Sequence, residues 1–301
     1  MLIYIKLLSA AFFWGGTFVA GRIIAENVKP CSAAFLRFLM ASIFLYLLTR
    51  RAEGKIPPIH SRQIIAVVLL GLTGVFAYNI MFFRGLQVIE AGRAALIIAI
   101  NPILIALFSA LFFKEKLGVI RLVGIMISIT GAMIVISRGE IASFFNGGLG
   151  IGEILIFGCV TSWVAFSLIG KTIVRSLSPL VSIFYSSAVG TLTLFVPAYR
   201  EGILSDWQHY VPADWLSLFF LAFFGTVLGF VWYYEGIKSI GPTKAGLFIN
   251  FVPVSAIFLA WLLLAEPVTL SLLVGAVFVS IGVYMTNSVK AGQNTGRTLN
   301  R

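Results

Sequence analysis

Ten long stretches of mostly apolar residues decide what this chain can fold into. A helix needs ~20 such residues to cross the hydrocarbon core of a bilayer, and lipid admits only segments whose backbone groups are paired internally. The stretches are bounded by charged residues or by Pro and Gly. They predict membrane-spanning helices over residues 3–22, 32–49, 63–83, 93–113, 119–137, 151–170, 178–198, 214–236, 243–264 and 269–288.

The composition excludes the other broad classes of protein. Apolar residues make up 59% of the chain and charged residues only 11%, whereas about a quarter of the residues of a soluble domain are charged. A soluble enzyme, a disordered chain and a fibrous protein are therefore excluded. We expect an all-α polytopic membrane protein of ten transmembrane helices with short loops, surrounded by the lipid bilayer.

The net charge of +11 indicates topology rather than nucleic-acid binding, because the Lys and Arg residues are spread over the loops. With a cytoplasmic N-terminus, 15 of the 22 Lys and Arg residues fall on the cytoplasmic side and six on the other, while Arg37 lies inside the second span. Cytoplasmic loops accumulate Lys and Arg. We therefore expect a multi-pass protein of the cell (inner) membrane with both termini in the cytoplasm.

The chain repeats at an interval of about 150 residues. An offset of 151 pairs eleven identical residues, and an offset of 149 pairs three more, among them Trp14 with Trp163. Each unit holds five spans, an odd number, so the second unit enters the membrane from the opposite side. We predict two inverted five-helix repeats, residues 1–138 and 151–288, followed by a cytoplasmic tail, residues 289–301. Secondary transporters typically have this architecture, with the substrate site near the midplane where the halves meet.

Short motifs in a fixed order carry a resemblance to a known family. In chain order they are Trp14-Gly15-Gly16, Leu36-Arg37-Phe38, Asn101-Pro102, Glu115, Gly124 with Gly131, Pro253, Glu266-Pro267, and Gly275 with Gly282. Over residues 4–288 the chain resembles the EamA-type members of the drug/metabolite transporter superfamily, which are ten-span transporters. Within that family it is most similar to bacterial amino-acid and metabolite exporters. It departs from the family at Asn101, where a small residue more often precedes the proline.

Arg37 is the one charged side chain well inside a predicted span, roughly 9 Å from the span's end at ~1.5 Å per residue. Burying a charge there is costly unless it faces a wet cavity or a partner. Two interpretations are open. Arg37 contacts an anionic group of the substrate, such as a carboxylate, or it snorkels to lipid headgroups or bonds to helix ends.

The eleven acidic residues all lie in loops or at span ends. Carriers coupled to protons or sodium ions commonly place a carboxylate inside the membrane. We therefore expect passive, gradient-driven exchange. The alternative is coupling through Arg37, through the charge of the substrate or through backbone carbonyls.

Aromatic and amide side chains at mid-depth are the candidate lining of a binding cavity. Buried indole, phenol and amide groups need hydrogen-bond partners, which a wet cavity supplies; packing inside the bundle is the alternative role. Pro102 and Pro253 each free a backbone carbonyl in mid-span, and we expect a hinge or a static bend at each. The candidate substrate-binding residues are Trp14, Thr17, Arg37, Tyr78, Asn79, Phe82, Asn101, Trp163, Tyr185 and Asn250.

Small and acidic residues suggest how the helices pack and end. Glu115 and Glu266 follow the fourth and ninth spans, and we interpret them as helix caps or interfacial ion pairs. Glycines at helical spacing predict close helix packing, namely Gly124 with Gly131, Gly275 with Gly282, and Gly225 with Gly229.

The sequence holds no motif for catalysis, ATP binding or a metal. Cys31 and Cys159 are interpreted as free thiols, and His60 and His209 are far apart in loops. Gly170-Lys171-Thr172 closes a span and lacks the earlier glycine of a phosphate-binding loop, which excludes ATP. We expect no enzyme activity, no cofactor and no metal.

The sequence therefore predicts a secondary transporter that acts by alternating access. We expect it to export amino acids, including aromatic and large apolar ones, or similar small metabolites. The expected partners are this small-molecule substrate and lipid, and the sequence is compatible with a monomer without fixing the oligomeric state. Carriers of sugar phosphates would need clustered cations at mid-depth, and carriers of drug-like cations would need a membrane carboxylate. A membrane-embedded enzyme would need a nucleophile and a base inside the bundle.

Overall fold

The computed structural model describes residues 1–113, 119–136 and 150–288, and every regular element within them is helical. Glu115 and the predicted tail lie outside the described residues. Helical segments occupy all ten predicted spans: α1 Leu2–Ile24, α2 Pro30–Glu53, α3 Ser61–Leu86, α4 Ala91–Ile98 with Asn101–Phe113, α5 Val119–Ile136, α6 Ile151–Ile173, α7 Pro179–Arg200, α8 Pro212–Ile240, α9 Pro242–Gly246 with Leu247–Asn250 and Phe251–Leu264, and α10 Leu270–Ser288.

Helix length and composition fit a membrane protein. Within the described residues, seven helices are long and apolar enough to cross a membrane, while α4, α5 and α10 are shorter apolar helices. Two short turns, Ile203–Asp206 and Trp207–His209, connect α7 to α8. The predicted all-α polytopic membrane fold is confirmed.

Four helices begin at a proline, whose fixed φ and missing N–H suit the first turn of a helix. These residues are Pro30 in α2, Pro179 in α7, Pro212 in α8 and Pro242 in α9. Pro30 and Pro179 stand at the same position of the two repeats, so α2 and α7 start alike.

The two repeats also share their departures from regular helix. A π-helix interrupts α3 at Gly71–Ala77 and α8 at Leu221–Leu228. A gap separates the two segments of α4, and α9 tightens into a 3₁₀ turn at Leu247–Asn250. The last two irregularities come just before Pro102 and Pro253, because a proline lacks the N–H that would bond the carbonyl four residues earlier.

Helix packing interlocks the two repeats. α1 packs against α8 and α9, and α6 packs in the same way against α3 and α4. α2 packs against its counterpart α7, and α5 against its counterpart α10. The predicted two-fold relation between inverted repeats would produce this exchange of partners. The packing surrounds the centre of the bundle with helices of both halves.

Glycine allows the close approach of α5 and α10. A Cβ atom added to Gly131 would lie 2.8 Å from the Gly275 carbonyl oxygen, and one added to Gly275 would lie 2.9 Å from the Gly131 carbonyl oxygen. Larger residues would push the two backbones apart. The predicted packing role is confirmed for this pair of glycines.

Polar contacts at the helix ends show which ends share a face. Lys6 at the start of α1 pairs with Glu235 near the end of α8 at 2.6 Å. The Ser178 hydroxyl, just before α7, donates to Glu53 at the end of α2 at 2.9 Å. These ends lie together as alternating spans require. The cation distribution predicts that this face is cytoplasmic, and we call the opposite one the predicted extracytoplasmic face.

Candidate functional site

A cavity lies at the centre of the bundle, where the two repeats meet. It contains about 430 Å³ free of protein atoms, of which about 30 Å³ can hold the centre of a water molecule. One water molecule needs ~10–15 Å³ of space for its centre, so the cavity holds about two water molecules. The lining residues come from α1 to α4 and from α6, α8 and α9, and are Trp14, Thr17, Phe18, Arg37, Tyr78, Phe82, Ile98, Asn101, Trp163, Phe230, Ile249 and Val252.

Arg37 reaches this cavity from α2 and is only 3% exposed. Its Nε donates to the hydroxyl oxygen of Thr226 on α8, and its Nη1 donates to Oδ1 of Asn79 on α3, both at 3.0 Å. No acidic residue lines the cavity in the part of the chain that the structure describes. Two neutral side chains thus hold the guanidinium, and the alternative of snorkelling to headgroups is wrong.

The two π-helices orient the partners of Arg37. The Thr226 hydroxyl donates to the Leu221 carbonyl within the π-helix of α8, at 3.0 Å. The Asn79 amide nitrogen donates to the Val75 carbonyl of the π-helix in α3, at 2.8 Å. Because these donors are used on the backbone, the oxygen atoms of both side chains are left to accept from the guanidinium.

Aromatic rings form most of the cavity wall. Trp14 and Trp163, which match across the repeats, meet edge to face with ring centroids 5.3 Å apart. Tyr78 lies 5.6 Å from Trp163 and stacks on Phe82 at 5.8 Å. Phe230 lies 5.3 Å from Trp163 on another side. Such a wall suits a flat or apolar group of a ligand.

Two polar atoms of the lining have no hydrogen-bond partner among the described residues. They are Nε1 of Trp163, a donor, and Oδ1 of Asn101, an acceptor. Trp163 is 5% exposed and Asn101 1%. Buried polar groups are nearly always bonded, so these atoms mark positions where a ligand or a water molecule would bind.

Most of the predicted site residues come together in this cavity. Asn79 lies behind Arg37 as its hydrogen-bond acceptor, and two further residues, Tyr185 and Asn250, are not part of the lining. The predicted residues that do line it are Trp14, Thr17, Arg37, Tyr78, Phe82, Asn101 and Trp163.

Tyr185 lies away from the cavity, contrary to its predicted position. Its hydroxyl donates to the Pro57 carbonyl at 2.6 Å, in the connection between α2 and α3. Asn250 ends the 3₁₀ turn of α9 with its Oδ1 buried and without a partner among the described residues, while its neighbours Ile249 and Val252 line the cavity. Depth along a span does not fix the direction in which a side chain points.

Thr226 and Phe230 belong to the site but were not singled out by their sequence pattern. Their signal was the spacing of Gly225 and Gly229, which predicted close packing alone. A Cβ atom at Gly225 would lie 2.6 Å from Cγ2 of Thr17, and one at Gly229 would lie 2.5 Å from Nε1 of Trp14. α8 therefore approaches α1 closely here, and this approach brings the residues beside the glycines to the cavity.

Ion pairs and helix caps join the two repeats at the predicted extracytoplasmic face. Arg93 in α4 and Glu153 in α6 form a buried ion pair with an N–O distance of 2.7 Å. Glu266, after α9, accepts from the backbone N–H groups of Ala91 and Gly92 at 3.0 and 3.2 Å. Glu266 thus caps a helix, but the helix it caps is α4 of the other repeat rather than a helix of its own repeat.

A second pair of contacts links the start of α2 to the segment after α7. The Ser32 N–H donates to Glu201 at 2.9 Å, and Lys29 pairs with Asp206 at 2.9 Å. The hydrogen bond from Lys29 holds the pKa of the Asp206 carboxyl below its usual value. Four contacts on the predicted extracytoplasmic face together form what we call the polar clasp: Arg93–Glu153, Glu266 with the first turn of α4, Ser32–Glu201 and Lys29–Asp206.

Both halves of the chain match one family model, that of the EamA-like transporter family, at residues 1–137 and 150–288. The uncharacterized transporter YyaM of Bacillus subtilis (strain 168) is 29% identical over 287 residues, which cover 95% of this chain and 94% of YyaM. An uncharacterized transporter of Archaeoglobus fulgidus is 26% identical over 287 residues, covering 94% of this chain and 97% of the relative.

A solved crystal structure shares the fold. It superposes with a TM-score of 0.66 at 18% sequence identity, covering 96% of this chain and 98% of the other. The fold agrees with the double family match, which extends over nearly the whole chain. This multi-pass membrane protein therefore belongs to the EamA-like transporter family.

Proposed function

We propose that this transporter exports amino acids, including aromatic and large apolar ones, or similar small metabolites across the cytoplasmic membrane. The observation that carries the proposal is a single buried guanidinium, that of Arg37, in the wall of an otherwise aromatic cavity. A carboxylate would accept charge-assisted hydrogen bonds from Arg37. An apolar or aromatic side chain would pack against Trp14, Tyr78 and Trp163.

The small cavity and the interlocked repeats support a mechanism of alternating access. Room for about two waters is too little for an amino acid, so the helices must move before a substrate enters. The polar clasp would break when the site opens outward, and the Lys6–Glu235 contact lies on the face that opens inward. We propose that the bends before Pro102 and Pro253 act as hinges, and that both termini are cytoplasmic.

The charges around the cavity favour a facilitator over the rival carriers. A sugar phosphate would call for several cations, and the lining holds Arg37 alone among the described residues. A drug-like cation would be repelled by Arg37. No acidic residue of the described lining could bind a coupling ion, so transport is expected to follow the substrate gradient. The same lining offers no nucleophile–base pair to an enzyme.

A counterflow assay with a substrate panel tests the proposal. Proteoliposomes are preloaded with an unlabelled amino acid, a sugar phosphate or a hydrophobic cation, and uptake of the same labelled compound is followed. We expect exchange of phenylalanine and other large apolar amino acids above that of protein-free liposomes. Exchange of sugar phosphates or cations without exchange of amino acids would overturn the proposal.

A further inference from the structure

We infer that the cavity binds the ammonium group of its substrate at the break in α4, and so selects zwitterionic amino acids over carboxylates or amines alone. The inference rests on the proposed function and adds a position for the ammonium group to that for the carboxylate at Arg37. The first observation is that Oδ1 of Asn101 is buried in the cavity lining without a partner among the described residues.

The chain around Asn101 supplies further acceptors. Pro102 has no N–H for the carbonyl of Ile98. In the other repeat Pro253 likewise has no N–H for the carbonyl of Ile249, but that carbonyl accepts from the Phe251 N–H. Ile98 and Ile249 both line the cavity, one in each repeat. At the break in α4, the N–H of Ile103 donates to the Ile100 carbonyl at 3.0 Å. This bond spans three residues instead of the four of an α-helix, so the carbonyls before Ile100 lose their regular helical donors.

The two unpartnered atoms of the lining are of opposite type. Nε1 of Trp163 can only donate, as can the guanidinium of Arg37, and a carboxylate can only accept. An ammonium group has three donors and no acceptor, and its burial is costly without acceptors. Oδ1 of Asn101 with the freed carbonyl of Ile98 fits an ammonium group, whereas Arg37 with Trp163 fits a carboxylate. One zwitterion satisfies both sets.

The aromatic wall raises a second way of binding a positive charge. A quaternary ammonium group is held by ring faces through cation–π contacts and has no N–H to donate. Such a group would leave Oδ1 of Asn101 buried and unbonded. The acceptors therefore favour a primary ammonium group, and a trimethylated amino acid distinguishes the two.

Competition in phenylalanine counterflow tests this selectivity with three analogues. These are 3-phenylpropionate, without the ammonium, 2-phenylethylamine, without the carboxylate, and N,N,N-trimethylphenylalanine, without N–H donors. We expect each to inhibit at least about tenfold more weakly than phenylalanine, the effect of losing a hydrogen bond to a charged group. Equal inhibition by 3-phenylpropionate or by the trimethylated compound overturns the inference and leaves amino-acid transport standing. Absence of phenylalanine counterflow overturns the proposed function and this inference with it.

Variants of Asn101 test the assignment to this residue. Asn101→Leu should weaken the binding of phenylalanine at least about tenfold and leave the inhibition by 3-phenylpropionate unchanged. Asn101→Asp keeps the shape of the side chain and should turn 2-phenylethylamine into a good inhibitor. Thr49→Val is the control, because it removes a hydroxyl that is also buried and unpartnered among the described residues but lies outside the cavity.

If Asn101→Leu weakened the binding of phenylalanine and of 3-phenylpropionate equally, Asn101 would have a packing role and the assignment of the ammonium position would be overturned. Should the Leu variant not fold, Asn101→Asp decides: inhibition by 2-phenylethylamine that stays at the wild-type level overturns it as well.

Discussion

Arg37 keeps its charge available because its partners, Thr226 and Asn79, are neutral. Lysine retains the charge but not the planar fork that can hold two acceptors and a carboxylate together. We expect Arg37→Lys to raise the half-saturation concentration for amino-acid exchange by about tenfold or more. A loss of this size corresponds to the free energy of one hydrogen bond to a charged group. Arg51→Lys, the same change at an exposed position of α2, should have no effect. Equal affinities in the two variants would place the carboxylate elsewhere.

Trp163 packs against five other aromatic residues, three of which also line the cavity. The three are Trp14, Tyr78 and Phe230, and the other two are Phe166 and Tyr233. Removal of the Trp163 ring takes away stacking and apolar contact, together worth about 2–4 kcal/mol. We therefore expect Trp163→Ala to lower phenylalanine exchange at least about tenfold.

Trp261→Ala is the matched control, because Trp261 is 55% exposed on α9. Exchange is measured on protein that inserts and elutes like the wild type. Similar losses in the two variants would show that Trp163 acts through folding alone.

The sequence could predict which residues are polar or aromatic at mid-depth, but not which of them meet. Trp14 and Trp163 were found because the repeat pairs them. The bond from Arg37 to Thr226 joins residues 189 positions apart, and no local spacing signals it. Tyr185 was misplaced for the same reason, since its partner is the Pro57 carbonyl of a distant loop.

At the scale of helices, the buried Arg93–Glu153 pair is the part of the polar clasp with the largest expected effect. Its side chains are 10% and 7% exposed, and breaking a buried ion pair costs about 3–5 kcal/mol. Glu153→Gln should therefore favour the arrangement that is open at the predicted extracytoplasmic face. We expect a cysteine at Thr17 to react faster with an impermeant thiol reagent applied from that side.

The thiol reagent must not react with other cysteines, so every variant also carries the substitutions Cys31→Ala and Cys159→Ser. Both native cysteines are buried. Glu26→Gln, a loss of an exposed carboxylate on the same face, is the control. A labelling rate that stays the same in Glu153→Gln and in the control would show that this ion pair does not close the site.

Hydropathy predicted the ten helices well because lipid requires an apolar, internally bonded segment at each crossing. The prolines also located the irregularities of α4 and α9, since a missing N–H is a local property. The π-helices at Gly71–Ala77 and Leu221–Leu228 were not predicted. Their role is to turn Asn79 and Thr226 toward Arg37, which depends on contacts between helices.

For the molecule as a whole, two repeats of five spans each predict that both ends of the chain lie on one side of the membrane. The excess of Lys and Arg predicts that this side is the cytoplasm. We expect a reporter fused after residue 288 to be active in the cytoplasm, and one inserted in the α7–α8 connection at His209 to be active outside. Activity of both reporters on the same side would contradict the inverted arrangement.

Phenylalanine counterflow in the presence of proton and sodium ionophores shows whether amino acids cross through this cavity without a coupling ion. Proteoliposomes loaded with unlabelled phenylalanine should accumulate the labelled form at the same rate with and without the ionophores. Trp261→Ala should match the wild type and Trp163→Ala should fall well below it. No accumulation would show that phenylalanine does not cross through this protein, and accumulation that the ionophores abolish would show that transport needs a coupling ion.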